Sequence, residues 1–536
     1  MNFRREFLKS GAAGLFAVAG AAAAPASNDT SAGASRIFDV RAFGATGNGS
    51  TIETAAVNRA IDAAAAAGGG TVWFGAGSYA CYSIRLKSKV TLQLEPGATI
   101  VAAEVPLEGT TAGYDPAEPN EAGHDYQDFG HLHWHNSLIW GEELHDVAIL
   151  GRGLIWGKGL SRGTRDPQLP RAELPGVGNK AIALKNCRNV LLRDFAVLNG
   201  GHFAVLATGV DNFSVDNLTI DTNRDGIDLD CCRNVRVSNC TVNSPYDDAI
   251  CPKSSFALGT ARATENVTIT NCFVSGSYVV GTVMDGTWQK YPTDARVPRT
   301  GRIKFGTESN GGFKNITVSN CVFDGCNGIA LESVDGGLLE DVTFTGLTMR
   351  DISHAPIFMR LGNRMRGPQG VPVGSLRRVI LSNIVSYNAA SDLCAIISGI
   401  PGHMIEDVKI NDVYLHHRGG GTAEMAELKP EEFENKYPEP TMFGKMPAHG
   451  FFLRHVNNIE FTNVEIAYEQ RDARPALVLA HVQGADFFRL KTPGAAPAPI
   501  FSLADVSEFR TIACREVKDI SLSLVEKQDI PQSWSR

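Results

Sequence analysis

The chain has 536 residues, 43% of them hydrophobic, so it can bury a large core. A formal net charge of −8 and a pI near 5.9 exclude nucleic acid as a natural partner. No apolar run of the mature chain is long enough to span a membrane, and 55 glycines with 20% charged residues suit many short turns.

The first residues read as an export signal. Phe3-Arg4-Arg5-Glu6-Phe7-Leu8-Lys9 precedes a small apolar run from Gly11 to Ala24 and an Ala-Pro-Ala at 24–26. This twin-arginine pattern predicts a bacterial protein carried folded by the twin-arginine export machinery to the periplasm or beyond, with residues 1–26 removed from the fold. Ile37 to Ala45 and Thr71 to Phe74 read as opening strands. Between them Thr54 is placed to cap a short helix with Val57, Ile61 and Ala64 on one face, ended by Gly68. That helix is expected to close one end of the fold. Residues 105–135 form a polar, aromatic insertion expected to wall a cleft. His133 and His135 inside it have the spacing of a metal pair but no further ligand set, and read as cleft residues.

From Asn189 onward a nine-residue pattern recurs: Asn/Asp, apolar, x, apolar, x, Asn/Asp, apolar, x, usually apolar. Its copies start at Asn189, Asn212, Asn234, Asn266, Asn315, Asp341, Arg378, Asp407 and Asn458. The shortest intervals are 22 and 23 residues, one coil of a parallel β-solenoid with insertions looping out. The seventh position holds Phe195, Leu218, Cys240, Cys272, Cys321, Leu347, Ile384, Val413 and Val464, a column that points to the core. The sixth holds Asp194, Asn217, Asn239, Asn271, Asn320, Gly346, Asn383, Asp412 and Asn463, residues that tolerate a left-handed bend and can bond coil to coil. The cysteines of the core column, three of eleven, are therefore expected as buried thiols rather than disulfides. The fold class is all-β, a single-stranded right-handed parallel β-helix. Its catalytic domain is expected over 37–490, with a C-terminal extension, 491–536, packing on it.

Register brings chemistry together. Asp225 lies 13 residues after Asn212, and Asp247 lies 13 after Asn234, so the two are expected on adjacent coils. Asp248 follows, and Asp228 and Asp230 extend the cluster along the strand. Carboxylates this close cannot all ionise freely, so at least one holds a proton near neutrality. A neutral acid beside an ionised base is what glycosidic bond cleavage needs. Arg224, Lys253, Arg302, Lys304, Arg360 and Arg364 lie near in sequence and suggest an anionic substrate, although Arg364 reads better as an ordinary surface arginine. Trp288 and Tyr291, in the insertion between Gly286 and Gly301, are candidates to stack on a sugar. A second long insertion, 417–450, contains Gly419 to Gly421 and Pro438, Pro440 and Pro447.

At these residues the chain resembles family 28 of the glycoside hydrolases, the polygalacturonase and rhamnogalacturonase group. Asn223-Arg224-Asp225-Gly226-Ile227-Asp228 resembles the family's Asn-Thr-Asp-Gly-x-Asp, Asp247-Asp248 its aspartate pair, Lys253-Ser254 its Lys-Ser, and Arg302-Ile303-Lys304 its Arg-Ile-Lys. The resemblance implies a pectin-lyase-like solenoid and catalytic roles for Asp225, Asp247 and Asp248. It implies substrate contacts from Asn223, Arg224, Asp228, Lys253, Arg302 and Lys304, with Glu332 as the phase-matched alternative to the Arg-Ile-Lys position and Arg360 as a further cation. It implies no cofactor and no metal, and inverting hydrolysis of α-galacturonic acid linkages in pectic oligo- or polysaccharide, with exo action suggested by the insertions. The family's Gly-His-Gly is absent: Gly276 to Gly281 has no histidine, as on the rhamnogalacturonase side. Rhamnogalacturonan hydrolysis, including a rhamnogalacturonide-specific exo-enzyme, is the nearest alternative. A Ca²⁺-dependent β-helix lyase and a non-catalytic glycan-binding solenoid are the others.

Overall fold

The computed structural model describes residues 36–119, 126–162, 167–493 and 498–533, so the export-signal segment lies outside the described residues. Parallel strands stack coil on coil into a right-handed β-helix. The repeat positions hold the coils in register. Every residue of the seventh-position column is buried to 2% exposure or less. Each such side chain contributes on the order of 1.5–3 kcal/mol of burial. Every residue of the sixth-position column has positive φ, and so does every first-position residue, including Arg378 at φ 54. Asn and Asp bear that conformation more easily than most side chains because their short polar groups bond locally.

Those bends stack their amides. Asn212 donates to Asn189 at 3.0 Å, Asn234 to Asn212 at 3.2 Å, Asn266 to Asn234 at 3.2 Å and Asn315 to Asn266 at 3.1 Å. The ten buried cysteines and the half-buried Cys514 are all free thiols.

At the N-terminal end, α1 (Thr54–Ala66) buries Val57, Ile61 and Ala64 as expected. Thr54 is its first residue rather than its cap, because its Oγ1 accepts from Tyr82 N at 2.8 Å. Glu53 precedes the helix, its carboxylate taken by Thr46 N and Gly47 N. The parallel stack continues past residue 490: Phe501–Ile512 pairs in parallel with Leu477–Phe488, and Ile520–Ile530 then returns antiparallel.

One face differs from the rest. Strands Lys180–Lys185, Phe203–Thr208, Asp225–Asp230 and Ile250–Lys253 pair in sequence, and Ile250 bridges to Ile303 on the next coil. On an ordinary strand of this solenoid, such as Asp211–Asp216, buried and open residues alternate. In Asp225–Asp230 all six residues are buried, since insertions cover the outer side.

Candidate active site

The Asp225–Asp230 strand points Ile227 and Leu229 into the core and Asp228 and Asp230 to the opposite, covered side. Its neighbour pairs Ile227 with Ile250, an offset of 23 residues. That offset sets Asp225 level with Asp248, one residue away from the phase match to Asp247 that the repeat spacing suggests; Gly226 N donates to Asp248 O at 3.0 Å. The carboxylates of Asp225, Asp247 and Asp248 still converge, each offering an oxygen within 4.8 Å of the others.

Their surroundings separate them electrically. Burial alone would raise Asp248, but Lys304, Arg302 and Lys253 overcome it and hold the carboxyl down at about 2. Arg302 Nε reaches Asp248 Oδ1 at 2.8 Å and Lys304 Nζ reaches Oδ2 at 2.9 Å. Burial, then the negative charge of Asp247, pushes Asp225 well above the usual carboxylate range, and its Oδ1 has no hydrogen-bond partner. Asp228 is raised by burial and by Asp225. Asp230 stands apart, accepting from Ser255 N and Oγ at 2.7 and 2.6 Å. The site thus sets Asp225, pushed toward its neutral form, beside Asp248, held toward its ionised form, the kind of pairing that acid–base cleavage uses.

The remaining motif residues surround this pair. Arg224 holds Asp247 Oδ2 at 2.8 Å. Asn223, with its amide oxygen turned to Arg162, accepts from Nε and Nη1 at 2.9 and 2.7 Å. Lys253 lies 3.2 Å from Glu308 and 3.6 Å from Asp228. Arg302 and Lys304 both reach Asp248, so the coil carrying them is the one adjoining the aspartate pair. Glu332 sits one coil farther on, where Lys304–Phe305 pairs with Ala330 and Leu331. Burial raises Glu332 to about 7.

Two expectations need correction. Arg360 does not face the acids: its guanidinium donates to Ser398 Oγ, Gly399 O, Glu432 O and Phe433 O, which ties down the 417–450 insertion. Arg364 is no surface residue; its side chain is buried, pairs with Asp335 and lies 3.6 Å from Glu308. Trp288 packs edge-on against Phe273 and Tyr278 and keeps 41% of its surface exposed, so its candidacy to stack on a sugar stands as it was.

Both insertions reach the site, as expected of cleft walls, but with residues the sequence did not single out. From the first, Asp128, the N-cap of α2 (Phe129–Leu132), pairs with His131 at 2.7 Å, with His202 3.5 Å from Asp128 and His131 4.0 Å from Glu308. From the second come Glu439, bonded to Arg302, and Tyr437, whose ring lies under 6 Å from Lys304 and Arg364. None of these belongs to a repeat column, and Tyr437 and Glu439 lie more than 100 residues beyond Lys304 in the chain. Glu308 was findable: it follows Lys304 at even spacing.

Residues 37–122 match the family model described as rhamnogalacturonase A/epimerase, pectate lyase-like, and residues 172–291 match that of the right handed beta helix region. The chain is similar to polygalacturonases. A probable polygalacturonase of Vitis vinifera is 24% identical over 403 residues, 70% of this chain and 73% of the relative. Among solved structures, the hyperthermoactive exopolygalacturonase of Thermotoga maritima superposes with a TM-score of 0.59 at 18% identity, over 81% of this chain and 92% of that one. The family 28 exopolygalacturonase of Yersinia enterocolitica gives 0.61 at 19% identity, over 84% and 78%. At these identities the structural likeness establishes the β-helix.

Proposed function

We propose that this protein is a glycoside hydrolase that cleaves α-galacturonic acid linkages in pectic polysaccharide. The observation that carries the reading is the convergence of three carboxylates whose environments push Asp225 toward its neutral form and hold Asp248 toward its ionised form. In this reading Asp225 donates its proton to the departing glycosidic oxygen. Asp248, with Asp247 beside it, takes the proton of an attacking water. Inversion is taken from the resemblance to the polygalacturonase group, in which the acids activate a water. The similarity to polygalacturonases supports the substrate class. Walls from two insertions favour attack at a chain end. Twin-arginine export to the periplasm or beyond completes the proposal.

The match of residues 37–122 to a rhamnogalacturonase-type model supports a rhamnogalacturonan backbone as the second reading. A lyase base is disfavoured because Asp248 and neighbouring carboxylates hold Arg302 and Lys304 firmly charged, against the pull of burial. Incubation with galacturonan and rhamnogalacturonan fragments, followed by NMR of the first products, tests all of this. Saturated sugars released one end unit at a time with inverted anomeric configuration are expected. Unsaturated products would overturn hydrolysis, retained configuration would overturn the water mechanism, and long early oligomers would overturn the exo assignment.

A further inference from the structure

A second concavity shares no residue with the acid site: a groove of about 570 Å³ on the outside of the C-terminal coils. Register builds its floor. Val385 pairs with Tyr414, Tyr414 with Glu465, and Glu465 with Lys491, one residue from each of four successive coils. The next coil adds Arg515, whose N–H donates to Leu490 O at 3.0 Å. Coils stack about 4.8 Å apart, so the row from Val385 to Arg515 runs roughly 19 Å along the axis.

The repeat breaks its own rule beside this row. The sixth-position column is Asn, Asp or Gly in every copy, and Asn463 still bonds Asp412 at 2.6 Å. Thr462 pairs with Phe488, so one coil later the same bend is taken by Arg489, at φ 56. Arg489 and Arg515 are both exposed, and neither side chain has an ion pair or hydrogen bond among the described residues. Lys491 is held by Glu465 at 2.5 Å. The lining carries three cations against two acids, on a chain whose net charge is −8. Two open guanidiniums offer planar, paired donors to carboxylates. The half-buried ring of Tyr414, next to the exposed Val385, offers a flat apolar surface to the face of a sugar.

We infer that this groove is a second polysaccharide-binding site, which holds an acidic sugar chain by its carboxylates on Arg489 and Arg515 and by a ring face on Tyr414, and takes no part in cleavage. The choice of a uronate polymer as ligand rests on the pectic reading of the acid site. A polymer anchored there raises the effective concentration of its own chain ends at the acids, an advantage that a short oligosaccharide does not share.

The test uses the full chain with Arg489→Asn and Arg515→Gln combined. Asn restores the residue type of its column and suits φ 56, so the charge is removed without straining the bend. In an Asp248→Asn background, chosen to leave the polymer intact, electrophoresis through gels containing polygalacturonate at low salt should show at least threefold weaker apparent affinity for the combined variant. An uncharged galactan should retard neither protein. In the active background, kcat/KM on long polygalacturonate should fall at least threefold, while that on trigalacturonate stays unchanged. Equal retardation by polygalacturonate, retardation by galactan, or a kcat/KM change that is the same for polymer and trisaccharide would overturn the inference. So would tighter binding to vesicles of anionic phospholipid than to polygalacturonate. A wild type that cleaves neither substrate would instead defeat the hydrolase reading, and the gels would still decide the groove on their own.

Discussion

Two faces of the same spiral are built on opposite rules. On the outer bends, coil after coil repeats one residue type in one conformation: Asn189, Asn212, Asn234, Asn266 and Asn315 share positive φ and bond in a row. On the covered face, successive coils put Phe203, Asp225 and Asp248 at corresponding places, and no residue repeats. The first face is a structural device, in which each element does the same small job as its neighbours. The second is chemical, and each position has its own pKa and partner. The lesson is that in a solenoid uniformity marks stability and irregularity marks function.

Substitutions on the two faces should therefore separate activity from stability. The largest effect is expected from Asp248→Asn, which removes the ionised base: kcat should fall by about 10²–10⁴-fold, with the circular dichroism of a folded β-protein retained. Wild-type turnover would remove Asp248 from the mechanism. Next comes Arg302→Met, which takes one of two clasping cations from a buried carboxylate. Loss of stability of about 3–5 kcal/mol by urea denaturation is expected. The sign for pH follows from Asp248 sitting below its unfolded value. Its contribution is present above about pH 4 and lost as pH falls through about 2. Without Arg302 that loss should begin at higher pH, and the acid limb of activity should move with it.

Glu332 sharpens the comparison in the opposite direction, because burial raises it from 4.5 to about 7. Its contribution is present below about pH 4.5 and lost as pH rises through about 7. Glu332→Gln should therefore match the wild type at pH 4 and exceed it at pH 8, by on the order of 3 kcal/mol. Equal stability at both pH values would show that Glu332 does not carry this strain. The smallest effect belongs to the outer bends: Asn234→Ala breaks two ladder bonds and places alanine at φ 56. About 1–2 kcal/mol of lost stability is expected, with kcat unchanged.

The same division explains what could be read from the chain. The seventh-position column and the left-handed bends were legible because they repeat, and the cysteines were placed in the core by that column alone. The pairing of Asp225 with Asp248 rather than Asp247 was hidden by an extra residue in the turn before Ile250. Arg302 precedes its coil's repeat start at Asn315, so phase pointed to Glu332; the ladder through Ile250 and Ile303 places Arg302 beside the aspartates. Tyr437, Glu439 and Asp128 were invisible because long-range folding, not periodicity, brings them in. The pairing of two cations was hidden for a related reason: sequence shows Arg302 and Lys304 but not that Asp248 and Glu439 fold against them.

The final strand, Ile520–Ile530, runs against the direction of every coil beneath it. A second copy laid on that rim would meet a reversed template, unable to continue the side-chain columns that give each turn its cohesion. The stack of tiers thus gives way, at Ile520–Ile530, to a strand whose reversed direction breaks the side-chain columns that each turn lends the next.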